Sequence, residues 1–322
     1  MTYACVIIIH MKIKKIFYYL AHPRQIYVRF AVNRINKNAN DYSDKDFIKK
    51  KYKIIFGKEI NLDNPKTFNE HINWMKLYFR KPILGKLVDK IAVRDYVKEK
   101  IGEKHLVPLI GTYDSPEDID FDTLPDKFVL KCNHNAHEGM FFCRSKEQRG
   151  ALNVCDVKEK LAKGLKDDHY LVSKEWPYSL VKPRILCERL LEDDSQNGLA
   201  DYKLFYFNGV FKLLLMCTDR STHLANDWYD KDLNHLKVTN GPKNRKKPII
   251  LDKKIINEMI MLGKELVSDF PECRVDFYYC NGNIYFGELT FFESSGFAPF
   301  TPSYMDEELG KLFDDKQFVN KE

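Results

Sequence analysis

The stretch Arg274-Val275-Asp276-Phe277-Tyr278-Tyr279 leads through Asn281-Gly282-Asn283 into Ile284-Tyr285-Phe286-Gly287-Glu288-Leu289-Thr290, and its reading decides the fold. Runs rich in aromatic and β-branched residues on either side of Asn and Gly predict a β-hairpin. If Asn281 to Asn283 form a three-residue loop, Cys280 pairs with Ile284. Asp276 then lies opposite Glu288, and Arg274 opposite Thr290, on one face. A two-residue loop puts the two carboxylates on different faces. Like charges facing each other cost a sheet roughly 0.2–1 kcal/mol, so the first register calls for a compensating cation. Magnesium carrying phosphates answers that need, because it binds through one or two carboxylates and completes its octahedron with water and substrate oxygens. A solvated hairpin face is the plainer alternative. The aromatic and β-branched neighbours point to burial and so favour the metal.

Working outward, 322 residues suffice for one large domain or two to three smaller ones. The composition, 44% apolar and 30% charged, is that of an ordinary globular protein. A net charge of +6 points only weakly to anionic ligands or a membrane surface. The eight cysteines (Cys5, Cys132, Cys143, Cys155, Cys187, Cys217, Cys273 and Cys280) contain no C-x-x-C pair, and no secretory signal precedes them. They read as reduced thiols of a cytosolic protein, with no structural metal expected. The apolar run Val6 to Ile9 is too short to span a bilayer, and Met11 is an alternative start that would remove it. From Met11 to Arg34, Lys and Arg alternate with Ile, Phe, Tyr and Val. An amphipathic helix on an anionic membrane and a helix packed on the domain fit this pattern about equally.

Asp44 to Phe56 reads as a charged helix. Thr67 with Glu70 forms a capping-box signal for a helix through Phe68, Ile72, Trp74 and Leu77, and a further helix is expected from Lys86 to Lys100. On that helix Asp89, Lys90 and Arg94 read most simply as a solvated charged face. Strands are expected at Leu106 to Thr112, Phe128 to Lys131 and Arg184 to Leu191. A hairpin turns at Asn208-Gly209 between Lys203 to Phe207 and Phe211 to Thr218. Helices are expected over 156–172 and 255–270, and the basic segment 231–247 reads as an exposed loop. Helices first, then antiparallel hairpins interrupted by single helices, make an α+β fold. Walker A, G-x-G-x-x-G and G-x-S-x-G sequences are all missing, which removes the usual anchors of P-loop, Rossmann and α/β-hydrolase folds.

Lys131 ends an apolar strand and opens the loop Cys132-Asn133-His134-Asn135-Ala136-His137-Glu138-Gly139-Met140, a position suited to holding phosphate. His134 and His137 read as solvent-exposed and carry no assignment. Glu188, Arg189, Leu190 and Leu191 close another strand, where backbone groups can meet an adenine edge and a carboxylate can meet ribose. Lys203, after Asp201-Tyr202, is a second phosphate-directed cation. Asp219-Arg220 reads as a surface ion pair or a substrate-orienting one.

Taken in chain order, these residues resemble the ATP-grasp superfamily, and most closely its TupA-like branch, named for teichuronopeptide synthesis. The resemblance covers residues 44–312. It rests on Asn64-Pro65-Lys66-Thr67-Phe68-Asn69-Glu70, Asp89-Lys90 with Arg94, Leu124 to Lys131, Asp201-Tyr202-Lys203, Arg274-Val275-Asp276 and Gly287-Glu288-Leu289-Thr290 followed by Gly296. It implies an ATP-grasp fold in which two α+β subdomains sandwich ATP behind a helical N-terminal region. The corresponding division is an N-terminal extension 1–60, a preceding region 61–115, a small subdomain 116–183 and a C-terminal subdomain with the metal site at 184–322. It further implies that Lys131 and Lys203 hold ATP phosphates and that Glu188, Arg189, Leu190 and Leu191 form the adenine hinge. Asp276, Glu288 and Thr290 would bind Mg2+, Arg274 and Lys203 would act on the transferred phosphoryl group, and Thr290 stands where many relatives have Asn. The loop after Lys131 departs from the family's glycine-rich pattern through its bulk and the acid Glu138.

The expected activity is ATP- and Mg2+-dependent ligation of a carboxylate to an amine or hydroxyl, through an acyl phosphate, in cell-surface polysaccharide or teichuronopeptide assembly. The substrate would be a polysaccharide, sugar acid or amino acid, with the protein cytoplasmic or peripheral at the inner face of the membrane. A glycosyltransferase of capsule or O-antigen assembly is the first alternative, although its D-x-D metal motif has only Asp118-Ile119-Asp120 and Asp120-Phe121-Asp122 to draw on. A nucleotide-binding protein without turnover is the second. Dispersed basic residues and the lack of an aromatic RNA-binding motif argue against nucleic acid.

Overall fold

The deciding hairpin forms with a tighter turn than expected, and a second irregularity restores the expected pairing. In the computed structural model, which describes residues 23–135, 138–193, 198–220, 222–267 and 270–314, Cys280 pairs with Asn283 around the two-residue turn Asn281-Gly282. Both turn residues have positive φ, 50° and 81°, as the primed turns that match strand twist require. On that turn alone Glu288 would slip off the face of Asp276. A β-bulge between Phe286 and Glu288 inserts Gly287 as an extra residue, so Asp276 again pairs with Glu288 and Arg274 with Thr290. A side chain at Gly287 would meet the carbonyl oxygen of Asp276 and the ring of Tyr278, each at 3.1 Å, which accounts for the glycine.

The strands are β1 Leu109–Tyr113, β2 Phe128–Cys132, β3 Phe141–Cys143, β4 Ile185–Arg189, β5 Asp201–Phe207, β6 Val210–Thr218, β7 Ala225–Asp230, β8 His235–Leu236, β9 Glu272–Cys280 and β10 Asn283–Thr290. They form two antiparallel sheets, β1-β4-β2-β3 and β10-β9-β5-β6-β7-β8, so the fold is α+β as the sequence predicts. The four-stranded sheet takes β1 and β4 from outside 116–183, on either side. Its core closes beneath the helix Val154–Leu165 through Phe128, Leu130, Val157, Leu161, Ile185 and Cys187. The Asn208-Gly209 turn joins β5 to β6 as expected, again with both residues at positive φ.

Two local expectations fail for a common reason, side chains that bond the backbone or another segment. The helix expected from Lys86 to Lys100 breaks into Ile83–Val88 and Val93–Ile101. At the break the Asp89 carboxylate accepts from the backbone N–H groups of Ile91 (2.8 Å) and Ala92 (3.3 Å) and from Asn133 Nδ2 (2.9 Å). Such a carboxylate offers the backbone an alternative to the helical ladder. The segment 231–247 is also more than an exposed loop. It contains β8, buries Val238, and returns Arg245 to the sheet, where its Nε donates to Thr218 Oγ1 at 3.0 Å and its guanidinium pairs with Asp219.

The chain divides into two compact units, Met1–Ile60 and Asn61–Glu322. Within the first, helices Pro23–Lys37 and Asp44–Phe56 are described. Ser43 caps the second helix by accepting from Asp46 N–H, and Gly57 ends it in the left-handed region. The readings of Val6 to Ile9, of Met11 to His22 and of Cys5 lie outside the described residues. Among the described residues no helix is long and apolar enough to cross a membrane.

Candidate active site

Period-two alternation puts Glu272, Arg274 and Asp276 on one face of β9, and pairing with β5 sets Lys203 beside Asp276. Arg274 is the hub. Its Nε and Nη2 donate to the two oxygens of Asp276 at 2.6 and 2.8 Å, Nη2 reaches Glu288 Oε1 at 3.0 Å, and Nη1 pairs with Glu293. Lys203 pairs with Asp276 and, at 3.0 Å, with Asp201 Oδ2, which also accepts from Arg220 Nη1 at 2.7 Å. Thr290 Oγ1 donates to Glu288 Oε1 at 3.2 Å, so all the predicted metal and phosphoryl residues meet in one cluster. Asp276 is only 2% exposed, whereas the Glu288 side chain is 40% exposed and open to an incoming ligand.

The electrostatics divide the facing pair. Burial opposes ionisation of Glu288, but Lys90, Arg274 and Lys203 outweigh it and hold the carboxyl at about 2. For Asp276, burial dominates and pushes the carboxyl up, with Arg274 and Lys203 offsetting only part of that cost. Burial and Arg274 also oppose the charge on Lys203, yet Asp276, Asp201 and Glu288 prevail and raise its ammonium above the ordinary lysine range. One further cation at the pair would relieve Asp276. Among the described residues no group of three or more His, Cys, Asp or Glu side chains could cage a metal unaided. Two facing carboxylates with one accessible edge therefore fit Mg2+ shared with phosphate oxygens and water.

The second half of the site lies on the four-stranded sheet. Glu188, 6% exposed at the end of β4, is held between Lys131 Nζ at 2.7 Å and Arg94 Nη1 at 2.9 Å. Its carboxylate is thus engaged by cations in this structure, and it fixes Lys131 at the mouth of the loop. Arg189 is exposed, Leu190 buried and Leu191 half-buried along the segment leading toward β5. That segment runs against the deciding hairpin, where Cys280 Sγ donates to the Glu192 carbonyl at 3.1 Å and Asn281 Nδ2 at 3.2 Å. Arg94 Nη2 also donates to the Val107 carbonyl at 2.8 Å, and Leu106 bridges to Phe286 of β10, so segment 94–107 links the two sheets.

Several participants lie outside the sequence assignments. Lys90, expected on a solvated helix face, turns inward and donates to the Asn135 carbonyl at 2.7 Å. Burial lowers its pKa, Glu288 pulls it back up and Lys131 lowers it further, so it senses the charges of both sheets. Asp201 had a signal, its period-two spacing from Lys203. Glu293 had none. Glu272 is fully buried with neither carboxyl oxygen hydrogen-bonded, and burial pushes its carboxyl well up. Asp219 and Arg220 pair with Arg245 and Asp201 rather than with each other.

The first residues of the loop after Lys131 are anchored. His134, expected at the surface, is 4% exposed with Nε2 3.0 Å from the Asp167 carbonyl, and Asn135 Nδ2 donates to the Gly164 carbonyl at 3.0 Å. Ala136 and His137 lie outside the described residues. Glu138 turns to Lys163 at 3.4 Å, which offsets the acid. Asp118 and Asp120 are used as local turn caps, Asp118 accepting from Ser115 N–H and Asp120 from Asp122 N–H, both at exposed positions.

A model of the TupA-like ATP-grasp family matches residues 70–314. No curated protein shows significant sequence similarity to the chain. Among solved structures, D-alanine–D-alanine ligase from Bacillus anthracis is 15% identical with a TM-score of 0.39, over 65% of this chain and 58% of that one. D-cycloserine synthetase is 12% identical with a TM-score of 0.42, over 74% and 72%. An L-amino acid ligase from Bacillus licheniformis is 11% identical with a TM-score of 0.39, over 74% and 51%. The chain thus spans less than two thirds of the length of the first and third of these ligases.

Proposed function

Because the chain belongs to the TupA-like ATP-grasp family, we propose that it is an ATP- and Mg2+-dependent ligase joining a carboxylate to an amine or hydroxyl. The observation that carries this reading is the facing of Asp276 and Glu288 across the hairpin with Arg274 between them and Lys203 alongside. In the first step a substrate carboxylate oxygen takes the γ-phosphoryl group of ATP and ADP leaves. In the second, the amine or hydroxyl attacks the acyl carbon, phosphate leaves, and the nucleophile's proton passes to solvent. No covalent nucleophile of the protein is required.

The side chains act by position and charge. Lys131, steadied by Glu188, and Lys203 would hold the phosphates, and Arg274 would steady the group in transfer. Asp276 and Glu288, with Thr290 donating to Glu288, would hold Mg2+. When bound, the ion supplies charge neutralisation on the phosphate oxygens. The segment from Glu188 to Leu191 would frame the adenine through its backbone. Family association supports a sugar acid, amino acid or glycan of a cell-surface polymer as substrate.

The anchoring of Asn133, His134 and Asn135, at the start of the segment where a phosphate-covering loop would close, favours a second reading, nucleotide binding without turnover. Incubating the protein with ATP, Mg2+ and a panel of sugar acids and amino acids separates the two. The ligase reading predicts ADP formation once a carboxylate is supplied, and sustained ADP release with phosphate only when a nucleophile is supplied as well. ATP binding with no ADP release across the panel favours the second, and loss of ATP binding rejects both.

A further inference from the structure

The first 40 residues hold seven Lys or Arg and no Asp or Glu, so the other 282 residues carry 45 basic against 46 acidic side chains. The whole net positive charge of the protein therefore lies in this short segment. Its described helix, Pro23–Lys37, buries Ile35 on one side. Tyr27, Phe30, Arg34 and Lys37 are spaced at three and four residues, which lines them up along one exposed stripe. Tyr27 is 64% and Phe30 71% exposed. Next to the stripe, a groove of about 540 Å³ is lined by Arg24, Arg34, Lys50 and Lys53 and by no acid. Lys50 stacks on the Tyr42 ring at 4.2 Å, and Lys53 pairs with Glu59 beyond the groove.

We propose that this stripe docks the protein on an anionic phospholipid surface, with Tyr27 and Phe30 entering the headgroup layer and Arg34 and Lys37 meeting lipid phosphates. The two exposed aromatics supply ring surface suited to the headgroup layer, and the neighbouring cations on this acid-free helix complement a negatively charged leaflet. The sequence ahead of the helix keeps the same character, with Val6-Ile7-Ile8-Ile9 and Ile16-Phe17-Tyr18-Tyr19-Leu20 around Lys12, Lys14 and Lys15. Apolar runs of that kind add nothing to nucleic-acid binding. The docking is independent of the ligase reading, because it involves none of the residues of the candidate active site.

The test is sedimentation of the full-length protein with vesicles of phosphatidylcholine alone or mixed with phosphatidylglycerol, at about 0.15 M salt where long-range attraction is screened. Wild type should partition into the mixed vesicles and not the neutral ones. Tyr27→Ser with Phe30→Ser, and separately Arg34→Glu with Lys37→Glu, should each lower that partition at least about tenfold. Circular dichroism unchanged from wild type shows that the variants are folded, and these exposed positions are chosen for that reason. Partition unaffected in both folded variants overturns the proposal, as does binding to RNA with none to mixed vesicles. Equal partition into neutral and mixed vesicles overturns the electrostatic half.

Discussion

Asp276→Asn is expected to abolish Mg2+-dependent ADP formation, by about a hundredfold or more, because it removes charge from the point where phosphate charge must be neutralised. The substitution keeps the size of the side chain. It also leaves Arg274 and Lys203 buried with one carboxylate fewer, and breaking a buried pair costs about 3–5 kcal/mol. Activity and stability therefore fall together in this variant. Glu288→Gln separates them, since Glu288 is partly exposed and makes one 3.0 Å contact with Arg274. A turnover assay beside a thermal melt should show Glu288→Gln losing less stability than Asp276→Asn, because its side chain is partly exposed, while being about as inactive. Full activity in either variant would remove the facing carboxylates from the mechanism.

Arg274→Met is expected to be the most destabilising change in the site. Asp276, Glu288 and Glu293 all converge on this guanidinium, and none has another arginine at hand. Methionine fills the space without the charge, so the three acids repel one another. A loss of about 3–5 kcal/mol is expected at neutral pH. Without Arg274 the Asp276 carboxyl, already pushed up by burial, rises further above its value in the unfolded chain. Protonation then favours folding, so the deficit should shrink as pH falls from about 7.5 to 5.5 and grow as it rises. Mg2+ should raise the melting temperature of this variant more than that of wild type, since it replaces the missing cation. A variant as stable as wild type at pH 7.5 without Mg2+ would refute the like-charge argument.

The site was only partly legible in the sequence, and the reasons are physical. Asp276 and Glu288 face each other as predicted, but by a different route. The turn has two residues rather than three, and the bulge at Gly287 restores the face. A glycine inside a strand signals such a bulge, and giving it that weight would have recovered the true route. Asp201 could be read from its spacing to Lys203. Lys90 and Arg94 could not, because the Asn135 carbonyl and the Glu188 carboxylate that they bond are brought near only by packing of segments far apart in the chain. Glu293 follows the strand with no periodicity to place it. The break at Asp89 depends on Asn133, which lies 44 residues away. One cap was readable, whereas the Asn153 and Asp168 caps that divide the helix expected over 156–172 into Val154–Leu165 and His169–Ser173 were not. Thr67 and Glu70 form the expected box, each satisfying the other's backbone N–H.

The central claim is that the hairpin carboxylates and the two strand lysines form a single magnesium–nucleotide site. Calorimetric titration of ATP into wild type and Glu288→Gln, with Mg2+ and with chelator, tests it most directly. ATP should bind wild type at least about tenfold more tightly with Mg2+ than with chelator, and Glu288→Gln should lose most of that difference, a change of about 1.4 kcal/mol. Equal ATP affinity with Mg2+ and with chelator in wild type, or an undiminished Mg2+ effect in Glu288→Gln, would contradict it.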